Sequence, residues 1–283
     1  MLVRRYLVLA IACTLLIMYS FAAGQSQKEQ ANPPDKAFHW PEGKRGALSL
    51  SFDDARPTQI DNGLPLLERY GVKATFYVSL DRMQERLEGW KQAVAKGHEI
   101  GNHTEHHTCT GNNPYFRAKA LENLTLEQMR EEIVNANKVL FDQLGVTPRT
   151  FAYPCGQKFV GRGRNVKSYV PLVAELFSVG RGWLDEGPND PAFCDMAQIL
   201  AMPSDRLDFD RIKPQIDSAM KRGVWLVLAG HEITSADRNL NTRISMLEDL
   251  LRYVQDPANG VWVDTIQNIA AYIEKQRGNM AIK

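Results

Sequence analysis

Along this chain, short apolar runs alternate with segments whose apolar residues recur at helical spacing. Residues 47–52 form a run of strand length. Ile60, Leu64, Leu67 and Tyr70 then share one helical face over residues 60–70, and Gly71 stops the pattern. Further strands are predicted at 74–78, 99–103, 150–153, 177–179, 224–229 and 261–263. Helices are predicted between and after them, at 87–96, 125–144, 166–176, 209–222, 242–255 and 266–276. The helix at 125–144 is the clearest. Thr125 and Gln128 make a capping box, and Gly145 ends the helix. Regular alternation of this kind implies a parallel sheet covered by helices. Its repeat number suits an α/β fold of the irregular (β/α) barrel kind, about seven strands in a single domain. Gly187, Pro188 and Pro191 mark residues 182–198 as a long loop.

The N-terminus breaks the pattern. Arg4 and Arg5 precede an uncharged apolar stretch over 6–23, followed by small residues at Ala22, Ala23 and Gly24. That is the layout of a secretory signal over 1–24. The stretch is long for a signal, and a bilayer span takes roughly 20 residues. The alternative is therefore a membrane anchor with an exported catalytic domain. Cys13 sits in mid-stretch and is not placed for lipid attachment. Residues 25–39, polar and carrying Pro33-Pro34, read as a linker. The domain proper is expected over 40–283, in a secreted or periplasmic protein.

Leaving out residues 1–24, with two arginines and no acid, changes the formal charge from +1 to −1. A nucleic-acid partner would call for a clustered basic face, so none is expected. A neutral polymer or small neutral substrate fits better. Beyond the leader stand Cys109, Cys155 and Cys194. Export permits a disulfide, but three cysteines cannot all pair internally, and the sequence leaves the pair open.

The candidate chemistry gathers at predicted strand ends, where such folds carry their sites. Asp53-Asp54 closes the first strand, and His103 and His107 follow the third. Four-residue spacing puts both histidines on one face if the segment makes a helical turn. One aspartate with these two histidines completes a three-ligand set with an open position, as zinc takes. The other aspartate is then free to serve as general base toward an activated water. A turn or cap alone would explain either pair; the two pairs together favour a metal-dependent hydrolase. His106 is out of phase with the other histidines. His231 follows the apolar strand and Gly230, where an imidazole can protonate a leaving amine near neutral pH.

With these residues in view, the chain resembles the polysaccharide deacetylases of the chitin-deacetylase-like (NodB-homology) group of carbohydrate esterases. The family's T-F-D-D-G motif appears as Ser51-Phe52-Asp53-Asp54-Ala55, and its H-[ST]-x-x-H motif as His103 to His107. Its L-x-x-H motif appears as Leu228 to His231. The likeness spans roughly residues 40–276. It implies Asp53 as base, Asp54, His103 and His107 as ligands of one divalent ion, zinc first, and His231 as acid. It also implies that Leu228 lines a pocket for the acetyl methyl. The third motif, R-x-P-x-G, appears as Ala152-Tyr153-Pro154-Cys155-Gly156, so Tyr153 and Cys155 become substrate-binding candidates. The Cys155 N–H would stabilise the oxyanion. Two departures stand out. Ala55 replaces a glycine, and Ala152 replaces the arginine that orients the base. Arg181, between Gly180 and Gly182, is the substitute; Trp183 is the candidate sugar-stacking platform.

The implied reaction is removal of N-acetyl groups from amino sugars of a polysaccharide or oligosaccharide. Three rivals stand beside it: an O-acetyl esterase acting on a xylan-like polymer, a cyclic-amide hydrolase, and a non-catalytic carbohydrate-binding member of the fold. Loss of the metal triad would mark the cyclic-amide hydrolase, and here the triad is intact.

Overall fold

The computed structural model describes residues 38–281. The leader expected at 1–24 and nearly all of the linker expected at 25–39 lie outside the described residues. Eight strands form one parallel sheet: β1 (Gly46–Asp53), β2 (Thr75–Val78), β3 (Glu99–Asn102), β4 (Thr150–Ala152), β5 (Val179–Arg181), β6 (Met202–Pro203), β7 (Trp225–Gly230) and β8 (Val261–Val263). Seven run in the order β5-β4-β3-β2-β1-β7-β6, and β8 joins alongside β1. β1 is long enough to take three partners. Residues 46–48 pair with β8, residues 51–53 with β2, and residues 47–52 with β7.

The sheet curls until its two edges meet along a thin seam. Ile199 bridges Arg181 of β5, and a few residues later β6 pairs with Leu228 and Ala229 of β7. Gly182 N donates to Ile199 O at 2.8 Å, and Ile199 N donates to Gly180 O at 2.9 Å. Residues 199–203 thus close the α/β half-barrel that the alternation predicts.

Strand alternation sorts the side chains. Leu48, Leu50 and Phe52 of β1 enter the large core under the helices. The other phase carries Ala47 into a second apolar cluster, closed by Ile266, Ile269 and Ile273 of the C-terminal helix. Ser49, Ser51 and Asp53 share that phase and are buried. The two serines are satisfied: Trp225 Nε1 donates to Ser49 Oγ, and Ser51 Oγ donates to Leu228 O.

The helix Leu126–Leu144 follows its sequence signals. Thr125 Oγ1 accepts from Gln128 N, Gln128 Oε1 accepts from Thr125 N, and Gly145 caps the end at φ +68°. It buries Met129, Ile133, Ala136, Leu140 and Leu144 at helical spacing. Truncating one of these, as in Leu140→Ala, costs about 2–5 kcal/mol.

Tertiary pairing moves several predicted bounds. The helix expected at 166–176 begins at Val170, because Lys167–Ser168 pairs antiparallel with Phe159–Val160. The strand expected at 177–179 lies at Val179–Arg181, where β4 supplies its partner. The helix expected from residue 242 begins at Ile244, because Asn241–Arg243 pairs with Glu232–Thr234. Among the described residues, no helix is long and apolar enough to cross a membrane.

Candidate active site

β1 ends on two carboxylates that go separate ways. Asp53 is the last strand residue and is 4 % exposed; Asp54 follows at φ +74° and turns the chain. Asp54 Oδ1 lies 3.2 Å from His107 Nε2 and 3.6 Å from His103 Nε2. Ligand atoms of these three residues all fall within 4.8 Å of one another, so the cluster could hold a metal ion. The fit is tested by Asp54 Oδ1 itself, which is buried with no hydrogen-bond partner. An orphaned buried acceptor costs about 1–3 kcal/mol, and a cation between it and two imidazole nitrogens removes that penalty. Asp54 Oδ2 is already held by Arg56, at 2.8 and 3.2 Å.

Each histidine presents the right nitrogen. His103 Nδ1 faces Ala152 O at 2.9 Å, which fixes the proton there and leaves the Nε2 lone pair toward Asp54. Burial, with His103 close by, pushes the His107 pKa down to about 4, so its ring is neutral. Asp54 is held well below the usual carboxylate range: burial opposes this, but both histidines outweigh it.

The reason expected for the pairing of His103 and His107 needs correction. They do not share a helical turn, since the segment after β3 is irregular. Left-handed backbone at Thr104 (φ +63°) and His107 (φ +49°) folds it back, and the ring centroids stand 4.7 Å apart. His106 points elsewhere, to Glu132 at 2.8 Å.

Arg181 is fully buried and donates from Nη2 to Asp53 Oδ1 and from Nη1 to Gly182 O. Its guanidinium lies over the Tyr77 ring, 4.8 Å from the centroid. Burial pushes the Asp53 pKa up, but the charge of Arg181 beside it, with the nearby His103 and His231, holds it below the ordinary value. His231 Nδ1 lies 2.7 Å from Asp205 Oδ2, and the His231 backbone N donates to Asp205 Oδ1. Burial alone would lower the His231 pKa; the bond to Asp205 and the charge of Asp53 raise it. Gln59 Nε2 donates to both Asp53 O and His231 O, at 2.6 and 2.8 Å, and so ties the two strand ends together.

The strand ends open on one cavity of about 520 Å³, with Arg181, Asp205 and Gln59 behind its lining. Asp53, Asp54, His103, His107 and His231 border it on one side; Tyr115, Phe116, Trp183 and Leu184 add apolar surface. Trp183 and His231 meet edge to face, 4.9 Å between centroids. Among the described residues, every non-glycine residue with positive φ lies beyond a strand end, from Asp54 and Ala55 to Cys155 and Leu184. Such strain gathers at functional sites.

Two expected pocket residues lie elsewhere. Leu228 pairs with Leu50 and shares its face, so its side chain enters the helix-covered core and does not line the cavity. Two-residue alternation forces this: residues of β7 in that phase point away from the face of Asp53. Tyr153 is also buried away from the cavity, its hydroxyl donating to Ala197 O. Cys155 does line the cavity, and it is disulfide-bonded to Cys109, leaving Cys194 free. Asp205, Gln59 and Arg56 were not legible as site residues. No spacing rule links Asp205 to a histidine 26 residues on. Only proximity to Asp54 could have suggested Arg56.

A curled parallel sheet with its polar cluster at the carboxyl ends of the strands defines a barrel-like α/β domain of the kind that carries hydrolytic sites. Residues 41–169 match the polysaccharide deacetylase family. The chain is 34 % identical over 112 residues to chitin deacetylase 1 of Cryptococcus neoformans var. grubii, covering 40 % of this chain and 22 % of that protein. It is 25 % identical over 235 residues to a gellan lyase of a Bacillus species, covering 83 % of this chain and 9 % of that protein. In both, the match spans less than a quarter of the relative. A Mycobacterium smegmatis crystal structure assigned to the polysaccharide deacetylases shares the fold. Its TM-score is 0.64 at 17 % identity, over 87 % of this chain and 96 % of that one. Residues 41–169, the part of the chain that holds Asp53, Asp54, His103 and His107, are thus similar to the polysaccharide deacetylase family.

Proposed function

We propose that the chain is a metal-dependent hydrolase that removes N-acetyl groups from amino sugars of a polysaccharide or oligosaccharide. The observation that carries this reading is the orphaned Asp54 Oδ1, set between two imidazole nitrogens with a separate carboxylate, Asp53, alongside. Asp54, His103 and His107 would hold the ion, with zinc the first candidate for a two-nitrogen, one-oxygen set. When bound, such a cation makes a water more acidic and polarises a carbonyl. Asp53, ionised at neutral pH, accepts the proton of the attacking water. Arg181 orients its carboxylate. The Cys155 N–H donates to the amide oxygen as charge develops there. His231, kept protonated by Asp205, gives its proton to the departing nitrogen, and an amine and acetate result. An alkoxide leaving group needs that proton less than an amine does, so the raised His231 pKa is in keeping with the amide. Trp183, at the cavity beside His231, is the candidate surface for a sugar ring.

The test is acetate release from chitooligosaccharides, peptidoglycan fragments and acetylated xylan, with and without a chelator. Release from an N-acetylated substrate, lost on chelation and restored by zinc, is expected. Release from xylan alone would make the chain an esterase. Oligosaccharide binding by zinc-loaded protein without any release would make it a binding module. The Cys109–Cys155 disulfide supports an exported domain over 40–283. Mass analysis is then expected to find a mature N-terminus near Gln25; an intact Met1 in membranes would favour the anchor.

A further inference from the structure

The Cys109–Cys155 disulfide is the one covalent link between two strand-end loops of the site among the described residues. Cys109 lies two residues past His107, in the loop after β3; Cys155 lies in the loop after β4. His103 has a carbonyl oxygen as partner for its outward ring nitrogen. His107 has a sulfur instead: Cys109 Sγ stands 3.8 Å from its Nδ1. On the far side, Cys155 is held at φ +54°, and Gly156 follows at φ +68°. A Cβ on Gly156 would lie 2.9 Å from Trp183 O, so that loop packs directly on the backbone of the next. Trp183 in turn meets His231. A continuous line of contacts therefore runs His107, Cys109, Cys155, Gly156, Trp183, His231, around the mouth.

We propose that this disulfide is a positioning group for His107, and that the affinity of the Asp54–His103–His107 cluster for a divalent cation depends on its redox state. The proposal rests on the metal-site reading above. Reduction by an external dithiol breaks the Sγ–Sγ bond. Two electrons and two protons pass to Cys109 and Cys155, giving two thiols, and the dithiol becomes its own disulfide. Cys109 Sγ is then free to rotate away from His107 Nδ1, and the loop after β3 loses its tie to the loop after β4. Outer partners of metal-bound histidines are typically worth about 10–100-fold in metal affinity.

The experiment titrates Co²⁺ into the metal-free protein, oxidised and reduced, following both affinity and the visible absorption that reports coordination. Reductant is removed before titration, and thiols are counted to confirm each state. The expected result is one site in the oxidised protein, binding about 10–100-fold more weakly after reduction, with a changed absorption band and recovery on reoxidation. Equal affinity and an unchanged band in both states would overturn the proposal, as would tighter binding in the reduced state with a thiolate-to-cobalt band, which would show His107, Cys109 and Cys155 taking the ion among themselves. No binding to the oxidised protein, or binding that survives His103→Ala, would sink the metal-site reading and this proposal with it. If reduction alters the far-ultraviolet circular dichroism, the same titration on Cys109→Ser/Cys155→Ser, at a temperature where its dichroism matches the parent, decides the matter.

Discussion

At the scale of single residues, neighbouring carboxylates have been given different surroundings. Asp53 faces a buried guanidinium; Asp54 faces two imidazoles and keeps one oxygen unpartnered. Asp53→Asn should therefore keep zinc near one per chain while turnover falls about 100–10,000-fold, the usual worth of a positioned base. Metal analysis beside acetate release checks this; loss of zinc would exchange the roles of the two aspartates. Asp205 acts through His231. Its bond raises the His231 pKa, so the imidazole stays protonated to higher pH. In Asp205→Asn that support is gone, the His231 pKa falls, and the alkaline limb of the pH–rate profile should move to lower pH with metal content unchanged. A limb that stays in place would mean it reports some other group.

At the scale of elements, short strands bring the site together, and the close approach of backbones limits what they tolerate. A Cβ on Gly180 in β5 would lie 2.3 Å from Ala197 O and 2.9 Å from the Tyr153 ring. Overpacking of that kind costs about 1–3 kcal/mol, and each kcal/mol lowers Tm by about 2–4 °C in a domain of this size. Gly180→Ala should thus melt measurably earlier in a calorimetric scan and lose activity through its neighbour Arg181. An unchanged Tm would show that β5 can shift without cost. The same elements show what was legible. β1 and β7 announce themselves as apolar runs, and the helix Leu126–Leu144 carries both of its caps in the sequence. β6 has two residues, too few for any period to show, and owes its existence to β7. Motif spacing singled out Asp53, Asp54, His103, His107 and His231, which the fold brings to one cavity, because each lies at or shortly past a strand end that the pattern reveals. Asp205 and the Cys109–Cys155 pair were hidden, because they depend on how distant loops approach one another. Leu228 was misplaced because a motif gives position along a strand, whereas the face follows from register.

At the scale of the whole molecule, the sheet is not held equally all round. β1 is paired along both sides, whereas the seam at residues 199–203 rests on a single bridge to β5 and a two-residue pairing with β7. Arg181 ends β5 at one side of this seam, and Asp205 comes two residues after β6 at the other. The partners of Asp53 and His231 therefore both hang on one of the thinnest pairings in the sheet. Local opening needs less free energy than global unfolding wherever few bonds hold an element. Amides of Gly182, Ile199 and Ser204 should then exchange with deuterium well before those of β1. In rising urea, turnover should vanish while the far-ultraviolet signal is still native. If activity and dichroism were lost together, the seam would be as firm as the rest of the sheet. If they part, the protein can be switched off by fraying along one line, with its fold otherwise intact.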